Sequence, residues 1–224
     1  MSASNPEHSS SSASPKALAV LGAAHGRFVH SRRVKVLVEH FVQLIPQGHR
    51  VLDVGCGDGL IDRLIMNARP DLEIVGVDVL VRGETLIPVT HFDGRHLPYD
   101  DQSFDTVLFC DVLHHTDSVS ELLHHAARVA RHSVLIKDHL LQGPFASLTL
   151  RFMDYVGNAP HGVALPYHYL TPHEWKEHFQ QAGLRVRKEI RELGMYPWWA
   201  NWLFGRSLHF VGLLEVASVA RDTP

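Results

Sequence analysis

The chain has 224 residues, 45% of them hydrophobic and 20% charged, with a formal net charge of −3. That length carries a single domain with a sizeable core, and the balance is that of an ordinary globular protein. No basic stripe of the kind that marks nucleic-acid binding is present; the cluster Arg27, Arg32, Arg33 and Lys35 reads as a solvated helix face. Two cysteines, Cys56 and Cys110, give no disulfide framework and suit a reducing, cytoplasmic setting. No apolar run approaches the roughly 20 residues of a membrane span. Ser2 to Pro15 lacks the positive start and apolar core of a signal peptide, so residues 1–15 read as a disordered tail.

Lys16 to Ile45 carries Leu18, Leu21, Phe28, Val34, Leu37, Val38, Phe41 and Leu44 at helical spacing, with Gly22 and Gly26 as points where it can divide. Pro46-Gln47-Gly48 ends this N-terminal helical cap (16–46). Val51-Leu52-Asp53-Val54-Gly55-Cys56-Gly57-Asp58-Gly59 then reads as a buried strand running into a glycine turn that opens a helix over Leu60 to Ala68. Alternate glycines let the backbone bend sharply and bring main-chain N–H groups close to a ligand. Asp53 and Asp58 put negative charge at the turn, which disfavours a phosphate and suits hydroxyls and amines.

Glu73 to Val79 is the next strand and ends on Asp78, placed as an acid that accepts hydrogen bonds from ribose hydroxyls in doubly wound folds. A dinucleotide site would use G-x-G-x-x-G, and the tighter spacing here argues against a nicotinamide oxidoreductase. His91-Phe92-Asp93-Gly94 follows the apolar run Ile87 to Val89 and precedes Leu97-Pro98-Tyr99. Ser103 to Asp111 is a further strand, followed by Val112-Leu113-His114-His115. Asp117 to Ala130 reads as a helix and Ser133 to Asp138 as the fifth strand, so strands alternate with helical segments as in a parallel sheet.

The pattern changes over residues 139–171, an insertion with a short helix near Phe145 to Val156. Thr171-Pro172-His173-Glu174 starts a helix with a cap, a first-turn proline and a capping-box glutamate, and Gly183 stops it after Ala182. Leu184 to Ile190 and Ser207 to Val216 are the last two strands. Between them, Met195 to Phe204 holds three of the four tryptophans. That segment suits a pocket wall or lid, a membrane-surface contact or a local aromatic core.

The 18 histidines raise the question of a metal. There is no H-E-x-x-H or Cys-His zinc spacing, and the pairs His114-His115 and His124-His125 are expected to diverge, so no metal is expected.

The glycine turn with Asp78, then H-F-D-G, L-P-Y, S-F-D-x-V and L-H-H, resembles the class I S-adenosylmethionine (SAM)-dependent methyltransferases. It is most similar to the small-molecule branch that includes quinone-biosynthesis (type 11 domain) enzymes. The resemblance spans roughly Arg50 to Asp138. It implies a doubly wound, Rossmann-like α/β sheet of seven strands, mostly parallel with an antiparallel last strand and helices on both faces. It also implies SAM as cofactor, with Asp53, Gly55, Gly57 and Gly59 at the methionine end and Asp78 on the ribose. Val79 would lie against the adenine, Asp93 and Gly94 would complete its pocket, and Cys110 and Asp111 would sit near the sulfonium.

The function so implied is methyl transfer to a small, lipophilic or aromatic-bearing molecule by in-line displacement. A general base is needed only for a hydroxyl or carbon acid, and His114, His115 and His139 are the candidates; His161, Tyr167 and His168 are further residues placed to face substrate. A helix-capping role for the His-His pair, a non-catalytic SAM-binding partner subunit, and a protein or nucleic-acid methyltransferase remain the competing readings. A small-molecule partner is expected and a nucleic acid is not. The oligomeric state is left open.

Overall fold

A computed structural model describes residues 31–116, 118–158, 168–197, 201, 204 and 207–217. The expected tail, the cap before residue 31, His161, Tyr167 and three tryptophans (Trp198, Trp199 and Trp202) lie outside the described residues. Residues 31–44 form helix α1. The elements that follow are β1 (Arg50–Val54), α2 (Leu60–Ala68), β2 (Glu73–Asp78), β3 (Val89–His91), β4 (Phe104–Cys110), a 3-10 turn (Leu113–His115), α3 (Val119–Val129), β5 (Ala130–His139), α4 (Ala146–Asn158), α5 (Pro172–Gln181), β6 (Leu184–Ile190) and β7 (His209–Val216).

The seven strands form one sheet in the order β3-β2-β1-β4-β5-β7-β6. The pairs β3–β2, β2–β1, β1–β4 and β4–β5 are parallel, and β7 runs antiparallel between β5 and β6. The expected doubly wound sheet is present. The strand order reverses between β1 and β4, which opens a crevice at the carboxyl ends of those strands.

Central strands read as continuous apolar runs because both faces are covered. Val51, Leu108 and Leu135 pack with Leu37 and Phe41 of α1 and Ile65 of α2 on one face. Leu52, Phe109 and Ile136 pack with Leu123 of α3 and Trp175 and Phe179 of α5 on the other. Arg69 fastens the carboxyl end of α1, donating from Nη1 to the carbonyls of Val42 (2.8 Å) and Ile45 (3.2 Å).

The expected alternation of strand and helix fails twice, since residues 92–103 between β3 and β4 form no helix and neither do residues 79–88. β2 and β3 are joined by residues 79–88 with no helix between them. Gly83 and Pro88 interrupt a segment too short for a helix with two turns. Val79, Leu80, Val81 and Leu86 consequently stand exposed beside the carboxyl end of β2. β5 is also longer than expected, reaching His139, because β7 pairs with it along its whole carboxyl half.

The capping box on α5 forms as read: Thr171 Oγ1 accepts from Glu174 N–H, and the Glu174 carboxylate accepts from Thr171 N–H at 2.7 Å. Thr171→Ala is expected to lower the unfolding free energy by about 1 kcal/mol, measured by denaturant titration. An unchanged midpoint would show that packing of Trp175 and Phe179 alone holds the helix.

Candidate active site

β1 ends in Val54 and the chain turns through Gly55, Gly57 and Gly59, all with positive φ (77°, 62° and 76°). Side chains close two of these positions to anything larger. A Cβ on Gly55 would lie 2.5 Å from Val112 Cγ2, and one on Gly59 2.5 Å from Ile87 Cγ1. Asp78, at the end of β2, steadies the turn by accepting from Gly57 N–H (2.8 Å) and Leu80 N–H (2.9 Å). Each carboxylate oxygen keeps a further lone-pair direction for a ligand hydroxyl. Val79 and Gly94 are brought together, since a Cβ on Gly94 would meet Val79 Cγ1 at 3.1 Å. Asp93 is turned onto its own loop, accepting from Arg95 N–H, His96 N–H and His96 Nδ1. These donors hold its carboxyl well below the usual range.

Beneath the glycine turn lies a second acid that sequence reading missed. Asp53 and Asp62 are both buried, and Asp53 Oδ1 and both Asp62 oxygens have no hydrogen-bond partner among the described residues. Burial pushes Asp62 up to about 6, and burial plus the facing Asp62 pushes Asp53 well above the carboxylate range. The pair therefore holds a proton at neutral pH. An acid-lined, phosphate-hostile turn with an unpartnered oxygen fits a ligand that presents an ammonium and hydroxyls, as SAM does.

β4 leaves the sheet at the neighbouring edge. Cys110 is a half-buried free thiol kept neutral, because burial and then Asp111 raise it well above the ordinary thiol value. Asp111 has a left-handed backbone (φ 58°), uncommon for a residue with a side chain. It is held there by three contacts: its N–H donates to Lys137 O (2.8 Å), and its carboxylate pairs with Lys137 Nζ and Arg33. Burial opposes the Asp111 charge, but the two cations outweigh it and hold the carboxyl well below its usual range. Arg33 is thus part of the site, not of a solvated face; the pull of Asp111 on a guanidinium is stronger than hydration of an exposed helix.

The end of β5 supplies the rest. Asp138 is fully buried; His114 Nδ1–H donates to its Oδ1 at 2.6 Å, His139 N–H to the same oxygen at 2.7 Å, and Leu113 N–H to Oδ2 at 3.0 Å. Burial works against this charge, yet pairing with His114 and these bonds keep Asp138 ionised, well below the usual range. An ionised Asp138 requires His114 to carry its proton on Nδ1, which puts the basic lone pair on Nε2. His139 is lowered by burial, His114 and Lys137, and is neutral; its ring lies 4.4 Å from His114 and 4.8 Å from His209, centroid to centroid. Tyr169 stacks at 5.9 Å from His114. The expectation that His114 and His115 diverge is corrected: in the 3-10 turn their rings are 4.0 Å apart. His168 is exposed, its Nδ1 3.3 Å from Thr116 O.

The structure therefore gathers Asp111, His114, His115 and His139 at the carboxyl edge of β4 and β5. It places Asp53, the three glycines and Asp78 beside them, joined through Val112 on Gly55. Missed by sequence were Asp62, Lys137, Asp138, Tyr169 and His209. A lysine inside an otherwise apolar strand was the one local signal.

A methyltransferase domain family matches residues 24–189. The chain belongs to that family. Its cofactor is SAM, and its neighbours share the fold: a Pyrococcus horikoshii protein superposes with a TM-score of 0.62 at 15% identity, covering 84% of this chain and 91% of that one. A Haloferax volcanii methyltransferase in complex with a methyltransferase activator gives 0.61 at 16% identity, covering 87% and 95%. Among characterised relatives, a Schizosaccharomyces pombe tRNA (carboxymethyluridine(34)-5-O)-methyltransferase is 29% identical over 99 residues, 42% of each protein. An Azorhizobium caulinodans ubiquinone biosynthesis O-methyltransferase is 27% identical over 187 residues, 75% of this chain and 72% of that one. The chain spans less than half the length of the first of these relatives.

Asp62 bears directly on pH dependence. Its folded value near 6 lies above the ordinary aspartate value near 4 of an unfolded chain. The stability it contributes is fully present below about pH 4 and is lost as the pH rises through about 6. Asp62→Asn, whose amide can donate to Asp53, is expected to raise stability at pH 7.5 by about 1–2 kcal/mol and to flatten the decline between pH 4 and 6. Thermal melts across that range check it; a variant destabilised at pH 7.5 would contradict the raised Asp62 carboxyl.

Proposed function

We propose that this domain transfers the methyl group of SAM to a hydroxyl oxygen of a small aromatic-bearing molecule, with His114 as general base. The observation that carries the reading is the His114–Asp138 pair at 2.6 Å, set on the turn that follows β4. When bound, SAM supplies a methyl carbon activated by a sulfonium leaving group.

The residues of the chain supply position and proton transfer. Asp53 with Gly55, Gly57 and Gly59 holds the methionine end, Asp78 takes the ribose hydroxyls, and Val79, Asp93 and Gly94 flank the adenine. Cys110 and Asp111 border the sulfonium. His114 Nε2 accepts the hydroxyl proton as the oxygen becomes nucleophilic. Asp138 keeps the ring in the required tautomer and stabilises the imidazolium that forms. His115 and His139 flank this base, and neutral His139 adds no opposing charge.

Both relatives named above carry an O-methyl acceptor in their names, which favours oxygen over nitrogen or carbon. The tRNA relative favours a second reading, in which the hydroxyl belongs to a modified uridine. An acidic ring hydroxyl suits the same base in either case. A cluster of six polar side chains at this edge (Arg33, Asp111, His114, Lys137, Asp138 and His139) argues against a purely lipophilic pocket floor. The apolar part of a substrate would be met by other walls.

Methyl-labelled SAM incubated with the protein and either a panel of phenols, catechols and hydroxyquinones or total tRNA separates the readings. Label is expected in the phenolic panel; label confined to tRNA selects the second reading. With an accepted substrate, His114→Ala and Asp138→Asn are each expected to lower kcat by about 10²–10⁴-fold, with SAM affinity within twofold of wild type. An unchanged kcat in His114→Ala would remove the base assignment. Asp78→Ala is expected to weaken SAM binding by about 1–3 kcal/mol, read by calorimetry; unchanged affinity would displace the ribose assignment.

A further inference from the structure

Outside the edge just described, a second group of side chains converges where the loop after β3 meets α3. His96 comes from that loop, and Glu121 and His125 come from α3, four residues apart on one helix face. Each can offer one ligand atom, and the three atoms lie within 4.8 Å of one another. His96 Nε2 and the Glu121 carboxylate are 3.6 Å apart, and the His96 and His125 rings meet edge to face at 5.0 Å.

The ring of His96 is held between two carboxylates. Its Nδ1 is 2.9 Å from Asp93 Oδ2 and its Nε2 faces Glu121. With Asp93 on one ring nitrogen, the other faces the Glu121 carboxylate, and a cation between them, a proton or a metal ion, satisfies both. A carboxylate on the far nitrogen of a ligating histidine is the partner that fixes tautomer and ring orientation in metal sites.

We propose that His96, Glu121 and His125 bind one divalent transition-metal ion of the zinc class, with Asp93 orienting His96. Tetrahedral zinc with metal–ligand bonds of about 2.0–2.1 Å separates its ligand atoms by about 3.3 Å. The His96–Glu121 pair is already near that spacing. The half-buried His125 closes the rest of the 4.8 Å span by a side-chain rotation. Two imidazoles and one carboxylate select zinc, nickel, cobalt or copper over magnesium and calcium.

The charges allow it. Arg128 lies 3.4 Å from His125 Nδ1, but its guanidinium is already engaged by Asp101 and by the carbonyls of Leu97 and Tyr99. The buried group Asp111, His114, Asp138 and His139 is also close enough to hold an ion. There Lys137 and Arg33 already neutralise Asp111, so a further cation would be repelled. A metal on His96 would staple the loop carrying Asp93 to α3, a tie between segments that share no other metal-ligating contact among the described residues.

Calorimetric titration of tag-free full-length chain with Zn²⁺ tests this, with His96→Ala, His125→Ala and His124→Ala alongside. His124 is the neighbour that turns away, its Nδ1 on Ser120 O at 2.7 Å. The expected result is one site per chain with a micromolar or tighter dissociation constant, weakened at least tenfold in His96→Ala and His125→Ala and intact in His124→Ala. Saturating zinc should raise the wild-type melting midpoint by about 3–8 °C and leave that of His96→Ala unmoved. Metal-free melts of the variants, matching wild type, show that folding is not the cause. Only millimolar binding spread over many histidines, or a tight site that survives His96→Ala, would overturn the proposal.

Discussion

The buried ion group at the end of β4 fixes the geometry on which the rest of the site depends. Lys137 is fully buried in the middle layer of the sheet, a position that a charge occupies only when paired. Asp111 meets it by adopting a left-handed backbone, and Arg33 of α1 adds the second cation. The bend this forces at Asp111 sends Val112 onto Gly55 and leads directly into the 3-10 turn that presents His114. Without that pairing the turn would have no reason to leave the strand in this direction.

Two carboxylates at the same sheet edge are set to opposite states by their surroundings. Asp138 receives three hydrogen bonds and stays ionised. Asp53 sits against another acid with an unpartnered oxygen and keeps a proton. One of the two thus carries a negative charge that holds the His114 ring, and the other stays protonated. The separation of roles follows from neighbours, since both residues are aspartates at the penultimate position of a central strand.

Much of this was legible in the sequence because it is encoded locally. The strand, glycine turn and helix from Arg50 to Ala68 follow from a contiguous apolar run and from glycines where φ is positive. The capping box at Thr171 is a four-residue signal and formed as read. The missing helix between β2 and β3 was less visible, since Val79, Leu80 and Val81 are apolar yet exposed and carry no period. Asp62 was hidden inside an amphipathic helix, where its burial depends on Asp53 from a strand. Arg33 was misread for a related reason: its partner lies 78 residues away. His209 meets His139 only through the antiparallel register of β7, and the His96 cluster assembles from a loop and a helix. Pairings made by tertiary structure leave no spacing to detect.

The proposed chemistry stands on SAM binding at the acidic glycine turn at the end of β1. Calorimetric titration of the wild-type chain with SAM, and separately with NADH, tests it most directly. One SAM per chain with a dissociation constant in the micromolar range, and no heat from NADH, is the expected result. Saturable NADH binding, or no SAM binding by a chain that melts cooperatively, would contradict it.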